Sequence, residues 1–204
     1  MTEICSGIAF DHDGVLANFA GAFIPWYNQH YGTSFAENYF WTHDFYKVFG
    51  VTREQLNADI KRFIQTSSPE QIQPYREMPA IVRRLAATYG THSQVTGRFT
   101  PESLQQSRTF TDRHYPGCFS NIHSSHHPQN NPRGYKGAIC KQKRVRLLIE
   151  DQADYAEEAL MHGIQVIVIN RPWNIGQALP HSVPRTDPIH LETILARMLN
   201  GTAH

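Results

Sequence analysis

Short apolar runs alternate with longer stretches of helical period along most of this 204-residue chain. Ile8-Ala9-Phe10 stops abruptly at Asp11-His12-Asp13-Gly14 and reads as a buried strand whose carboxyl end carries acids. Ser93-Gln94-Val95-Thr96, ended by Gly97, reads the same way. So do Val145-Arg146-Leu147-Leu148-Ile149, which ends in Glu150-Asp151, and Val166-Ile167-Val168-Ile169, which ends at Asn170-Arg171-Pro172. Cys118-Phe119-Ser120-Asn121-Ile122 is a weaker strand candidate. Between these runs, residues 79–89 set Ile81, Val82, Leu85, Ala86 and Tyr89 at helical spacing, with Pro79 in the first turn and Gly90 as the stop. Thr100-Pro101 opens a second helix through Leu104, and residues 153–162 form a third, closed by Gly163. Asp187-Pro188 starts a last one that turns Ile189, Ile194, Leu195 and Met198 inward and ends at Gly201.

Apolar strands alternating with amphipathic helices predict an α/β, Rossmann-like parallel sheet covered by helices on both faces. Ligands of such sheets bind at the carboxyl ends of the strands. Asp11, Asp13, Thr96, Glu150 and Asp151 all fall at such ends, so residues far apart in sequence are expected to converge. The stretch between the first and second strands is too long for one crossover. Twelve aromatic residues crowd between Phe19 and Phe49, and Thr52-x-x-Gln55 resembles a capping box ahead of Leu56, Ile60, Phe63 and Ile64. Residues 17–75 therefore read as a small helical cap with an aromatic core, inserted after the first strand. Residues 1–16 and 76–204 form the α/β core.

Charge narrows the function. Nineteen Lys and Arg against 18 Asp and Glu leave a net charge of +1, which gives no support for binding a nucleic-acid polymer by bulk electrostatics. Hydrophobic residues at 40% and charged residues at 18% fit a packed globule. No apolar run approaches the roughly 18 residues of a membrane span. The start of the chain has no basic region and meets acid too early for a signal peptide. Cys5, Cys118 and Cys140 have no CxxC spacing and argue against a disulfide framework or a zinc knuckle. The expected setting is a reducing cytoplasm, with no membrane partner.

The acids carry the candidate chemistry. Asp11-x-Asp13 puts two carboxylates close together, and a divalent cation such as Mg²⁺ would relieve their repulsion. A phosphate could then bridge metal and protein while one carboxylate attacks phosphorus and the other handles a proton. Gly14 allows a sharp turn and frees backbone N–H groups for phosphate oxygens. The plainer reading of the tetrapeptide is a turn with solvated acids. Lys136, at the opening of the helix before the fourth strand, is the favoured cation, with Lys141 as its competitor.

Taken together, Phe10-Asp11-His12-Asp13-Gly14-Val15-Leu16-Ala17, Val95-Thr96-Gly97-Arg98, Lys136 and Leu148-Ile149-Glu150-Asp151 resemble the four motifs of the haloacid dehalogenase superfamily. Their order fits, and the match spans residues 8–172. Tyr31-Gly32, Thr42-His43-Asp44-Phe45, Phe49-Gly50-Val51-Thr52, Pro79-Ala80 and Arg171-Pro172-Trp173-Asn174 look like the 5′-nucleotidase branch of deoxyribonucleotidase type. Glu150 stands where that branch commonly has a second aspartate, and His12 where the family often has an apolar residue. The resemblance implies that Asp11 is the nucleophile that forms an aspartyl-phosphate, and Asp13 the acid that protonates the leaving alcohol and later activates water. It implies that Thr96 and Gly97 bind phosphate, that Lys136 neutralises it, and that Asp11, the Asp13 backbone carbonyl and Asp151 hold Mg²⁺ with Glu150 directly or through water. Superfamily dehalogenases lack the second acid, so Asp13 favours phosphoryl transfer to water.

The expected function is Mg²⁺-dependent hydrolysis of a small phosphomonoester, foremost a nucleoside monophosphate. A sugar-phosphate or phosphoglycolate phosphatase is the alternative, and a non-catalytic binding module the alternative of another class. Most rings of the insert are expected to pack with one another, while Tyr31, Tyr39, Trp41 or Tyr46 could stack on a base. Arg98 either meets a second acidic group of the substrate or pairs with an acid of the cap such as Asp44. His12 either contacts the leaving group or faces solvent. Asp154 reads as a first-turn helix residue or an acid behind the metal, and His123, His126 and His127 read as a polar loop rather than a metal site, since no fourth ligand is evident.

Overall fold

The computed structural model describes residues 5–66, 71–125 and 135–201. Six strands form one sheet: β1 (Cys5–Phe10), β2 (Thr91–Thr96), β3 (Phe119–Ser124), β4 (Leu147–Glu150), β5 (Gln165–Ile169) and β6 (Arg185–Thr186). Their spatial order is β3-β2-β1-β4-β5-β6, and every neighbouring pair is parallel. Alternation along the strands assigns the two faces. Ile8, Phe10, Leu147, Ile149, Ile167 and Ile169 point into one core, closed by α4 (Met78–Tyr89) and α8 (Leu191–Gly201). Ala9, Val95, Leu148, Val166 and Val168 point into the other, closed by α6 (Lys136–Gln142) and α7 (Ala153–Met161). This is the α/β sheet with two covered faces that the apolar pattern predicts.

Some boundaries differ for identifiable reasons. The helix expected to run from Thr100 to Leu104 continues as α5 (Pro101–His114). Its buried face is carried by Ser107, Phe110 and Thr111, and the Ser107 and Thr111 hydroxyls donate to carbonyls one turn earlier, so apolar periodicity understates it. β3 lies further along than expected because its half-buried, polar sequence at the sheet edge gives little apolar signal. Ile189 was expected inward but is 65% exposed, since it sits in the 3-10 turn (Pro188–His190) ahead of α8 and off that helix's apolar stripe.

Between β1 and β2 lie α1 (Phe19–Tyr31), a 3-10 turn (Glu37–Tyr39), α2 (Phe45–Phe49) and α3 (Arg53–Thr66). The Gln55 N–H donates to Thr52 Oγ1 at 3.1 Å at the start of α3. These helices share a cluster of Phe23, Tyr27, Phe40, Phe49 and Phe63 with Trp173, which comes from beyond β5. The chain crosses between insert and sheet on two adjacent strands of backbone: the Asn18 N–H donates to Gln73 O at 2.9 Å, and the Tyr75 N–H to Leu16 O at 3.3 Å. No helix among the described residues is long and apolar enough to cross a membrane.

Candidate active site

Parallel pairing brings the acids together. Phe10 lies opposite Ile149, and the Asp11 N–H extends that ladder by donating to Ile149 O at 2.9 Å, so Asp11 emerges beside Glu150 and Asp151. After Asp11 the chain folds back tightly, with the Leu16 and Ala17 N–H groups both donating to His12 O. Gly14 makes the turn at φ +85°, and a Cβ there would run into the Asp151 carboxylate. Both the backbone angle and the close approach require glycine.

Lys136, the first residue of α6, is buried between two carboxylates. Its Nζ lies 2.9 Å from Asp11 Oδ1 and 2.7 Å from Glu150 Oε2, and 4.4 Å from the centre of the Tyr155 ring. The competing Lys141 is exposed at the far end of the same short helix. Glu150 Oε1 accepts the Asp151 and Gln152 backbone N–H groups at 3.1 and 3.2 Å, so both Glu150 oxygens are engaged within the protein. The Trp173 Nε1–H donates to Asp151 Oδ2 at 2.7 Å, whereas Asp151 Oδ1 is buried without a hydrogen-bond partner. Asp11, Glu150 and Asp151 each offer an oxygen within 4.8 Å of the others.

The electrostatics match this crowding. Burial pushes Asp11 and Glu150 up to about 7 despite Lys136, and burial together with the Asp11 charge pushes Asp151 up to about 6. Burial would lower Lys136, but Asp11 and Glu150 outweigh it and hold the ammonium charged. Three buried carboxylates against one ammonium, with Asp151 Oδ1 unpartnered, could hold a hard divalent cation, with Asp11 and Asp151 as the carboxylates whose oxygens are not both engaged. The residues present therefore fit Mg²⁺.

Asp13 has a different neighbour. Arg98 grips it through both forks, Nε to Oδ2 at 2.8 Å and one terminal nitrogen to Oδ1 at 2.7 Å. Burial alone would raise Asp13, but the Arg98 charge and hydrogen bonds win and bring it down to about 2. Of the partners expected for Arg98, Asp44 is excluded as a contact: it pairs with Lys47 at 2.8 Å and Arg53 at 3.1 Å. Thr96 Oγ1 accepts the Arg98 backbone N–H at 3.2 Å, and open space surrounds Gly97. His12 does not face solvent. It is 1% exposed, with Nδ1 2.9 Å from Gln94 Oε1 and its ring edge-on to Phe110.

Above the acids is a cavity of about 320 Å³ between sheet and insert, bordered by Asp13, Gly14, Arg98, Ser103, Asp151 and Gln152 on the sheet side. Its apolar walls are Phe19, Phe45, Leu56, Ile60, Ile64 and Trp173. Tyr46 borders an adjoining cavity with Arg53, Asp154 and Tyr155. Tyr31 and Trp41 line neither: the Tyr31 hydroxyl donates to Asp59 at 2.6 Å, and Trp41 is 66% exposed. Tyr39 is likewise exposed. His123 sits half-buried on β3, and His126 and His127 lie outside the described residues.

The residues that sequence reasoning left without a role are those of the turn after β5. Asn174 Nδ2 donates to the carbonyls of Asp151 at 2.6 Å and Ile169 at 2.8 Å. Arg171 Nε donates to Gly14 O at 2.6 Å, and its guanidinium lies 3.5 Å from the centre of the Tyr75 ring. Arg171-Pro172-Trp173-Asn174 stood out in the sequence only through its resemblance to a family motif.

No family model matches the chain, and no curated protein does. Solved structures share its fold. A haloacid dehalogenase family hydrolase from Deinococcus radiodurans, with bound phosphate and sodium, is 14% identical at a TM-score of 0.64, covering 96% of each chain. The D,D-heptose 1,7-bisphosphate phosphatase from B. bronchiseptica, complexed with magnesium and phosphate, is 13% identical at a TM-score of 0.58, covering 94% of this chain and 98% of that one. Protein Tyrosine Kinase A from Mycobacterium tuberculosis is 13% identical at a TM-score of 0.67, covering 93% and 97%. The chain thus has the haloacid dehalogenase-like fold, and proteins of this shape carry names of more than one activity.

Proposed function

We propose that this protein is a Mg²⁺-dependent phosphomonoester hydrolase that works through an aspartyl-phosphate on Asp11, with residues 17–75 acting as a cap over the core. The observation that carries the reading is the convergence of Asp11, Glu150 and Asp151 around Lys136 at the carboxyl ends of β1 and β4, with Asp151 Oδ1 left unpartnered. Asp11, Asp151 and the Asp13 backbone carbonyl would hold Mg²⁺, which supplies positive charge against the phosphoryl oxygens when bound. Glu150, whose oxygens are both taken, positions Lys136.

In the first step an Asp11 oxygen forms a bond to phosphorus as the ester P–O bond breaks, and Asp13, which must first leave Arg98 and take up a proton from solvent, gives that proton to the departing alkoxide. In the second, Asp13 takes a proton from water, the resulting hydroxide attacks phosphorus, and Asp11 is released with inorganic phosphate. Lys136, the Thr96 hydroxyl and the Gly97 backbone steady the phosphoryl oxygens. Closure of the insert over the site keeps other water from the intermediate.

Phe19, Phe45 and Trp173 around the cavity favour a leaving group with a flat apolar body, and a nucleoside monophosphate is the first choice on that ground. Arg98 in the same cavity favours a charged leaving group instead, which keeps phosphoglycolate, and sugar phosphates that carry a second phosphate, in view. The test is phosphate release from nucleotides and sugar phosphates with and without Mg²⁺, with Asp11→Asn as control. Mg²⁺-dependent turnover abolished by the substitution supports the reading. Turnover that survives Asp11→Asn overturns it.

A further inference from the structure

Arg98 holds a carboxylate that the proposed reaction needs free. Its side chain is 14% exposed, and both of its contacts run to Asp13. Among the described residues lining the 320 Å³ cavity, it is the one lysine or arginine. It also borders a smaller cavity of about 50 Å³ behind, beside His12, Phe110 and Arg113.

We propose that the substrate carries a second anionic group on its leaving alcohol, a carboxylate or a phosphate, and that Arg98 selects it by exchanging Asp13 for that oxyanion. This rests on the phosphatase reading and narrows its substrate class: a plain nucleoside monophosphate, whose leaving alcohol is uncharged, gives way to an ester whose leaving alcohol carries a second oxyanion. The fork of a guanidinium matches carboxylate and phosphate alike, and the Asp13 carboxylate stands where the substrate's oxyanion would bind. A guanidinium this buried does not give up one anion without receiving another. An uncharged leaving group offers none, so Asp13 stays gripped and the leaving oxygen waits for its proton. A leaving group bearing an oxyanion takes the fork and frees the Asp13 carboxylate to take up a proton from solvent and deliver it to the bond that breaks. Arg98 is thus a specificity-determining residue that also gates the proton donor. The apolar walls accept the body of the same leaving group.

Matched esters that differ only in the second anion test this. Phenyl phosphate is paired with 4-carboxyphenyl phosphate, and adenosine 5′-monophosphate with adenosine 3′,5′-bisphosphate. The wild-type protein with Mg²⁺ is expected to prefer the anion-bearing member of at least one pair by about 10- to 100-fold in kcat/KM, the worth of charge-assisted contacts. Which pair responds separates carboxylate from phosphate. In Arg98→Met the preference collapses toward one from both sides: the anion-bearing ester loses turnover, and the plain ester gains it because Asp13 is no longer held. A merely structural role would lower both together. Arg98→Lys, with charge but no fork, is expected to fall between, and with the wild-type ratios it decides the matter should Arg98→Met not fold. Equal turnover of both members of both pairs overturns the inference and leaves the phosphatase reading standing. A folded wild-type protein that hydrolyses none of the four esters overturns both.

Discussion

Trp173→Phe isolates one hydrogen bond on which the candidate metal site depends. The Trp173 indole donates to Asp151 Oδ2 at 2.7 Å, while Asp151 Oδ1 has no partner and the residue is 2% exposed. Phenylalanine keeps an aromatic ring against Phe45, whose centroid lies 5.6 Å away, but removes the donor. A hydrogen bond to a charged group contributes about 1.5–3 kcal/mol, so the variant without Mg²⁺ at pH 7.5 should lose about that much. At about 2–4 °C per kcal/mol for a chain of this size, Tm falls by about 3–12 °C. The substitution also removes the group that orients Asp151, the proposed metal ligand, and loss of such a partner typically weakens affinity about 10- to 100-fold. Thermal denaturation with and without Mg²⁺, followed by a Mg²⁺ titration, reads both effects. An unchanged Tm together with an unchanged Mg²⁺ half-saturation would refute the role assigned to the Trp173–Asp151 pair.

Other perturbations reach the same site. Gly14→Ala is expected to lose about 2 kcal/mol or more in a urea titration, from the left-handed backbone angle and the collision with Asp151, whereas Gly97→Ala, with open space at its Cβ, should unfold at the wild-type midpoint. Lys136→Met leaves Asp11 and Glu150 buried without their counter-charge, so a loss of about 3–5 kcal/mol is expected in the same titration, with partial recovery at pH 5 as those acids take up protons. Asp11 and Glu150 near 7 and Asp151 near 6 lie above their unfolded values, so their favourable contribution is complete below about pH 4 and is lost as pH rises through about 6 to 7. Mg²⁺ needs these groups ionised and should raise Tm more at pH 8 than at pH 5; equal shifts at the two pH values would count against the site.

How much of this was legible in the sequence depended on whether the signal was local. β1, β4 and β5 announce themselves because strands buried on both faces tend to be apolar, whereas β2 is equally buried but carries His92, Ser93, Gln94 and Thr96 around the single Val95. The acids that end β1 and β4 were readable for the same reason, since the run stops where the side chains leave the core. β6 spans two residues at the sheet edge and has no comparable signature. The aromatic insert was legible as a packed cluster, but which rings face the cavity was not: that is decided by the angle at which the insert meets the sheet, and Phe19 and Phe45 line it where Tyr31 and Trp41 do not. The Arg98–Asp13 pair spans 85 positions, and the His12–Gln94 pair 82. No periodicity encodes pairings of that kind. They follow from β2 lying beside β1, which places everything just past the end of β2 next to everything just past the end of β1.

The turn after β5 shows how such long-range pairings couple the site to the insert. Trp173 belongs to the aromatic cluster of the insert and at the same time holds Asp151. Asn174 fixes the Asp151 backbone, and Arg185 in turn holds Asn174 Oδ1 at 2.6 Å from β6. Arg171 ties Gly14 to the same turn while stacking on Tyr75, beside the backbone crossing that leads into the insert. Asp151 and Gly14 are therefore held by one short segment that also packs on the insert. A shift of the insert that moves Trp173 must either carry the Asp151 carboxylate with it or break a hydrogen bond to a buried charge. The insert's position and the geometry of the acidic cluster then change together, and this predicts that substitutions at Phe45, whose ring packs edge-on against Trp173, alter Mg²⁺ half-saturation as well as substrate KM. A Phe45→Leu variant with a changed substrate KM and an unchanged Mg²⁺ half-saturation would show that the two are uncoupled.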